Sequence, residues 1–298
     1  MPNESMKPVA SSEGVIVHCP KDGKFSFFNS PYPAHTAYSA VDIYPRNVFG
    51  CIAPSPVYGK VVEIRRVKCP ERKSFESSSY DYVTLLQSLE NPEKWIKILH
   101  AKPVVNNGDI VKPGEALGFL LRSGFFDFWT DAHIHVEVRG PKDPLRARGG
   151  FKFESSVVIK DMKAEPEELS GIVVESKQEY SLVALNGDFK NGIPVDVGGE
   201  IGLLDAGIPH YKCFGVHMSA QPPLGSVVKL CETKIGTVKS VHSNMCIAQC
   251  SNLTFKLNNE PVNLSFYLYL SKPLVKVIPQ KIGEIKLKKF EKVSITIS

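Results

Sequence analysis

The segment TDAHIHVEVRG, residues 130–140, carries the sharpest chemical signal in this 298-residue chain. Read as a strand, it sends His133, His135, Glu137 and Arg139 to one face and Ile134, Val136 and Val138 to the other. Neutral imidazoles at His-x-His spacing can both reach one metal, or one can ligate while its neighbour handles protons on the bound water. The spacing alone suits an ordinary exposed histidine pair equally well.

Two further segments supply compatible chemistry. In AHTAYSAVDIYP, residues 34–45, Asp42 alternates away from Val41 and Ile43, so a carboxylate occupies the polar side of an otherwise core-building strand. Strands deplete Asp, and a carboxylate placed there needs a partner, in a turn, a salt bridge or a metal site. His35 precedes it by seven positions. In WIKILHAKPVVNNGDIVKPGEALG, residues 95–118, His100 closes an apolar run and alternates with Ile96 and Ile98. That pattern implies partial burial, as for a satisfied core histidine. The aromatic run GFFDFWTD, 124–131, could wall a substrate groove or pack into the core. Cys213, Cys231, Cys246 and Cys250 with His217 and His242 offer metal-binding side chains, but C-x-x-x-C has no matching second pair, and free buried thiols are the favoured reading.

The elements that must position these residues are strands. Apolar or alternating runs recur at Val15 to His18, Ala40 to Tyr44, Lys60 to Val67, Tyr82 to Leu86, Trp95 to His100, Ala116 to Leu121 and Ala132 to Arg139. Between them, PSPVYGK, NNGD, KPGE and RGPKDP hold the residues that supply positive or preset φ. The polar stretch CPERKSFESSSYD, 69–81, reads as a long exposed hairpin loop. A composition shift over 154–171 places a boundary between a domain of residues 1–155 and one of 156–298. The second part shows the strand-like segments SGIVVE, YSLVAL, SVVKL, VNLSFYLYL and KVSITI, with Asn-Gly turns at 186–187 and 191–192, and reads as a β-sandwich or β-barrel.

Composition narrows the function classes. A net charge of +5 with no run of five basic residues gives no electrostatic case for nucleic acid. No stretch reaches the roughly 18 apolar residues of a membrane span, and MPNESMKPVASSEG has neither a basic n-region nor an apolar h-region, so the expectation is a cytoplasmic protein without a membrane partner. The seven cysteines fit reduced thiols better than a disulfide framework.

Taken in order from Val15 to Gly149, the motifs resemble the lysostaphin-type family of zinc metallopeptidases. They are His and Asp before an apolar strand (AHTAYSAVDIYP), a turn-strand (APSPVYGKVVEI), a strand ending in His (KILHA), a glycine-spaced turn (GDIVKPGEALG) and the His-x-His strand (AHIHVEVR). The resemblance implies an all-β duplicated hybrid motif fold for residues 1–155 and Zn²⁺ held by His35, Asp42 and His135. It further implies His133 as the proton acceptor, His100 beside the oxyanion, and a peptide or peptide-crosslinked substrate. The family spaces its first ligand as H-x-x-x-D, which here puts Tyr38 in that place. Either an insertion lets His35 loop back, or the first ligand is lost and the chain is a degenerate binding or regulatory module on the same fold. APSPVYGKVVEI and GDIVKPGEALG also resemble biotinyl or lipoyl carriers, but no Met-Lys-Met-like tip lies between them. Residues 156–298, with the basic end KLKKFEK, are left a role in binding a substrate or partner protein.

Overall fold

A computed structural model describes residues 5–46, 48–159 and 165–298. The first four residues of the N-terminal segment, and 160–164 within the composition shift, lie outside these. The chain is all-β; among the described residues its α-helix is a single turn, α1 (Pro33–Thr36). It divides into two compact units, Met1–Phe27 with Tyr32–Ser156, and Phe28–Pro31 with Val157–Ser298.

The first unit contains β1 (Met6–Ser12), β2 (Val15–Pro20), β3 (Lys24–Ser26), β4 (Val41–Tyr44), β5 (Ile52–Pro54), β6 (Gly59–Lys68) and β7 (Tyr80–Ser88). These continue into β8 (Trp95–Leu99), β9 (Ala101–Pro103), β10 (Ile110–Val111), β11 (Ala116–Leu120), β12 (Ile134–Arg139) and β13 (Glu154–Ser155). Its main sheet runs β10-β6-β7-β8-β12-β4-β3, with smaller sheets β13-β1-β2 and β5-β11-β9. All the pairings are antiparallel.

Burial explains the position of β12. Ile134, Val136 and Val138 are fully buried with Ile43, Ile96 and Ile98 of the flanking strands. The opposite face is just as dry, since His135, Glu137 and Arg139 are also buried. An antiparallel sheet with one solvated face would show alternation here. A strand that is buried on both faces yet polar on one must have its polar face satisfied inside the protein.

The second unit consists of two closed six-stranded rings, so a β-barrel, not a sandwich, forms this half. One ring runs Ile193–Val197, Val227–Leu230, Thr233–His242, Met245–Cys250, Cys213–His217 and Glu200–Ile208, which pairs back to the first. The other runs Glu260–Phe266, Phe255–Leu257, Lys292–Ile297, Leu169–Ser176, Ser181–Leu185 and Val275–Pro279, which again returns to the first. Strand Glu200–Ile208 serves both: its Ala206–Ile208 end pairs with Phe266–Leu264. Closure removes free edges, and one apolar core including Val195, Leu204, Phe214, Val262 and Phe266 fills the unit. Among the described residues no helix is long and apolar enough to cross a membrane.

Gly118 shows how tightly β11 lies on its neighbour. A Cβ there would come within 2.3 Å of the Lys102 carbonyl oxygen, on backbone that cannot swing aside. Gly118→Ala is therefore expected to destabilise the protein by about 3 kcal/mol, the upper part of the overpacking range, read as a lowered denaturant midpoint. An unchanged midpoint would mean that β9 and β11 are farther apart than described.

Candidate metal centre

Strand register assembles the site. The β4–β12 pairing sets His135 opposite Asp42, and the β12–β8 pairing sets His135 opposite Leu99, one residue before His100. Strand β8 ends at Leu99; His100 leaves it at φ 72°, so it does not simply continue the alternation of Ile96 and Ile98. His35 comes from α1, whose single turn starts on Pro33, a residue with φ preset for a first helical position. Tyr38, at φ 61°, turns the chain back toward β4 and is itself buried.

The ring nitrogens of His35 and His135 converge on one carboxylate oxygen. Asp42 Oδ1 lies 2.8 Å from His135 Nδ1 and 3.4 Å from His35 Nε2. His35, Asp42 and His135 each offer a ligand atom, all within 4.8 Å of one another, and all three residues are buried. Three protein donors of nitrogen and oxygen type could together hold a divalent metal ion.

The hydrogen bonding of His35 supports a cation here. Its Nδ1–H donates to the Phe27 carbonyl at 2.6 Å, so the neutral ring presents a bare lone pair at Nε2. That nitrogen is buried, makes no hydrogen bond, and faces a carboxylate oxygen. A lone pair opposite an anion is repulsive, and a positive ion between them, a proton or a metal, removes the conflict. The buried backbone partner on the other nitrogen is the usual support of a ligating histidine.

His135 is held from both sides, Nδ1 by Asp42 and Nε2 by Glu137 Oε1 at 3.1 Å. Burial alone would lower its pKa, but the hydrogen bonds and charges of Asp42 and Glu137 outweigh burial and raise it from 6.5 to about 9. In the metal-free protein a proton thus supplies the positive charge that these carboxylates require. Burial would likewise raise Asp42, but the neighbouring His35 and His133 imidazoles and the hydrogen bond from His135 hold it well below the usual carboxylate range. Glu137 in turn accepts from Lys97 Nζ at 2.7 Å and from Arg139 Nη1 at 3.1 Å. Arg139 also donates to the carbonyls of Asp143 and Arg148, and Lys97 to the Tyr32 hydroxyl at 3.2 Å. This is the polar filling that the second buried face of β12 needs.

His133 and His100 stand beside this group with their rings 4.9 Å apart. His133 Nδ1–H donates to the Asp131 carbonyl at 2.8 Å, and its Nε2 lies 3.8 Å from Asp42 Oδ2. Burial is the main cause that lowers the His133 pKa, to about 4. His100 Nδ1 bonds Asp81 Oδ2 at 2.6 Å. Phe126 stacks on His133 with centroids 4.8 Å apart and meets His100 edge-on at 4.6 Å. It thus packs against both imidazoles while its neighbour Phe125 is half exposed.

All five residues singled out in the sequence, His35, Asp42, His100, His133 and His135, gather in this one place. Asp81 is the residue that sequence reasoning misplaced, as part of an exposed loop. It is the second residue of β7 and is buried with Val83 and Leu85. The alternation Asp81, Val83, Leu85 was the available signal. Lys97, which the sequence did not single out, is 2% exposed between the buried Ile96 and Ile98.

Comparison with known proteins adds little to this geometry. The family model described as "Domain of unknown function (DUF8155) N-terminal domain" matches residues 16–155. No curated protein matches the chain. Among solved structures it is similar to the antimicrobial peptidase lysostaphin from Staphylococcus simulans, at 12% identity over 91% of this chain and 95% of that one, with a TM-score of 0.29. An NMR solution structure of lysostaphin is similar at 15% identity over 76% of this chain and 87% of that one, with a TM-score of 0.27. At these scores the chemistry of the site rests on its own residues.

Proposed function

We propose that the first unit is a zinc-dependent hydrolase of peptide bonds, with His35, Asp42 and His135 holding the metal and His133 and His100 serving the reaction. The observation that carries this reading is the bare, buried Nε2 of His35 facing Asp42 and His135, with two more imidazoles beside that group and no role in it. Zinc, when bound, supplies a Lewis acid for a peptide carbonyl and lowers the pKa of a water toward neutrality. His133 is suited to accept the proton of the attacking water, because donation from Nδ1 to the Asp131 carbonyl leaves Nε2 basic and burial keeps the ring neutral near pH 7. His100 is assigned to the developing oxyanion, with Asp81 holding its ring through Nδ1. The substrate is a peptide or peptide crosslink, as the sequence resemblance implies.

The depth of the site supports a second reading, a metal-holding binding or regulatory module without turnover. His35, Asp42, His135, His133 and His100 range from 1% to 9% exposed, so a bulky substrate has little room to reach them without movement. Activity decides between the two. Purified wild type should contain about one zinc per chain, lost in His35→Ala and His135→Ala and retained in His133→Ala. The last variant should lose peptidase activity by about 10²-fold or more, the usual scale of general acid–base catalysis. Zinc without cleavage of any peptide library would favour the second reading, and a wild type that takes up no zinc would exclude both.

Metal uptake should also depend on pH with a definite sign. The raised pKa of His135 means that zinc must displace its proton at every pH below about 9. Apparent zinc affinity should rise about tenfold per pH unit toward that value. The metal-free protein should show the opposite trend: stabilisation by protonated His135 is fully present below 6.5 and is lost as pH rises through about 9. Calorimetric zinc titrations in buffers of different ionisation enthalpy would measure the released proton. Affinity independent of pH between 6.5 and 9 would remove His135 from the ligand set.

A further inference from the structure

We propose that Asp81 is a positioning residue for His100, gripping both its backbone and its ring so that Nε2 is the atom left to act on substrate. The role in catalysis rests on the peptidase reading above; the grip itself does not.

His100 has a backbone conformation that a non-glycine residue rarely adopts, at φ 72°. Such a residue persists only where its surroundings over-determine it. Asp81 provides most of that determination: Oδ1 accepts the His100 backbone N–H at 3.1 Å, and Oδ2 accepts from ring Nδ1 at 2.6 Å. The His100 carbonyl accepts from Leu121 N–H at 2.9 Å. The carboxylate is itself fixed, because Oδ1 also accepts the Tyr82 N–H at 2.7 Å and Ser123 adds a side-chain hydrogen bond. Burial opposes its charge, yet His100 and these donors hold Asp81 ionised, with a pKa of about 2.

A purely structural carboxylate would need only the backbone contact to hold the turn. The second oxygen instead takes the ring nitrogen, which places the proton on Nδ1 and leaves Nε2 free beside His133. Phe126 limits the remaining rotation by meeting the ring edge-on. When Nε2 also carries a proton it is the donor that an oxyanion requires.

The test uses the full chain with Asp81→Asn, Asp81→Ala, His100→Ala and the double variant Asp81→Asn/His100→Ala. Nitrogen-15 and proton NMR of the imidazoles should show His100 protonated at Nδ1 in wild type and a mixture of tautomers in both Asp81 variants. Zinc content should stay near one per chain throughout, as Asp81 touches no proposed ligand. Against a cleaved peptide, Asp81→Asn should lower kcat by about 10²-fold with KM changed by less than about threefold. The same substitution should cost nothing more in the His100→Ala background. An unchanged His100 tautomer in both variants, or an undiminished kcat loss in the His100→Ala background, would overturn the proposal. If wild type binds no zinc or cleaves nothing, the peptidase reading fails instead, and the tautomer measurement alone decides whether Asp81 orients the ring.

Discussion

The cross-strand contact between Asp42 and His135 is the constraint around which the first unit is arranged. Asp42 is buried in β4 between Val41 and Ile43, which build the core. Its carboxylate must meet positive charge or donors inside the protein or it would not stay ionised. The β4–β12 register supplies His135 directly opposite, and α1 adds His35 from outside the sheet. Each partner is then committed: His135 needs something for its second nitrogen and His35 something for its first. Glu137 and the Phe27 carbonyl meet those needs.

That commitment spreads inward along β12. Glu137 brings a second buried negative charge, which Lys97 from β8 and Arg139 from two positions along β12 neutralise. Arg139 finishes its donors on backbone carbonyls of the 143–148 loop, where the network reaches the edge of the unit. Paired buried charges of this kind contribute little net stability compared with apolar replacements, and removing one partner alone is costly. Their value lies in direction. They fix the ring of His135 in one orientation, which an apolar face on β12 could not do.

Much of this was legible in the residues. The period-2 alternation of TDAHIHVEVRG put His133, His135, Glu137 and Arg139 on one face, and the hydrogen bonds of Glu137 with His135 and Arg139 bear that out for the last three. What sequence could not give was that this face is dry, because dryness depends on what covers it. Asp81 was misread for that reason: a polar run suggests solvent unless a partner is known. The second unit was legible as strands but not as two closed rings. The Asn-Gly pairs at 186–187 and 191–192 fall between Ser181–Leu185 and Ile193–Val197, strands that pair with other neighbours. The tight two-residue turns with positive φ are at Gly198–Gly199, Cys231–Glu232 and Asn258–Asn259. Only the glycine pair carries the chemistry that marks such a turn most strongly; register in the closed rings imposes the Cys-Glu turn.

The four imidazoles of the site are chemically identical, and what separates them is the partner of Nδ1. His35 and His133 donate it to backbone carbonyls, which fixes the tautomer and turns Nε2 toward the site. His100 donates it to a carboxylate that also holds its own backbone N–H. His135 alone turns Nδ1 toward the shared Asp42 oxygen and gives Nε2 to Glu137. In the function proposed above, one ring would ligate through Nε2, one through Nδ1, one would accept a proton and one would face the oxyanion. The hydrogen bonds behind the rings are buried and made by groups that strand register or a short turn fixes in place. The division of labour among equal side chains is thus a property of the scaffold, and it would survive changes at the exposed surface that leave those registers intact.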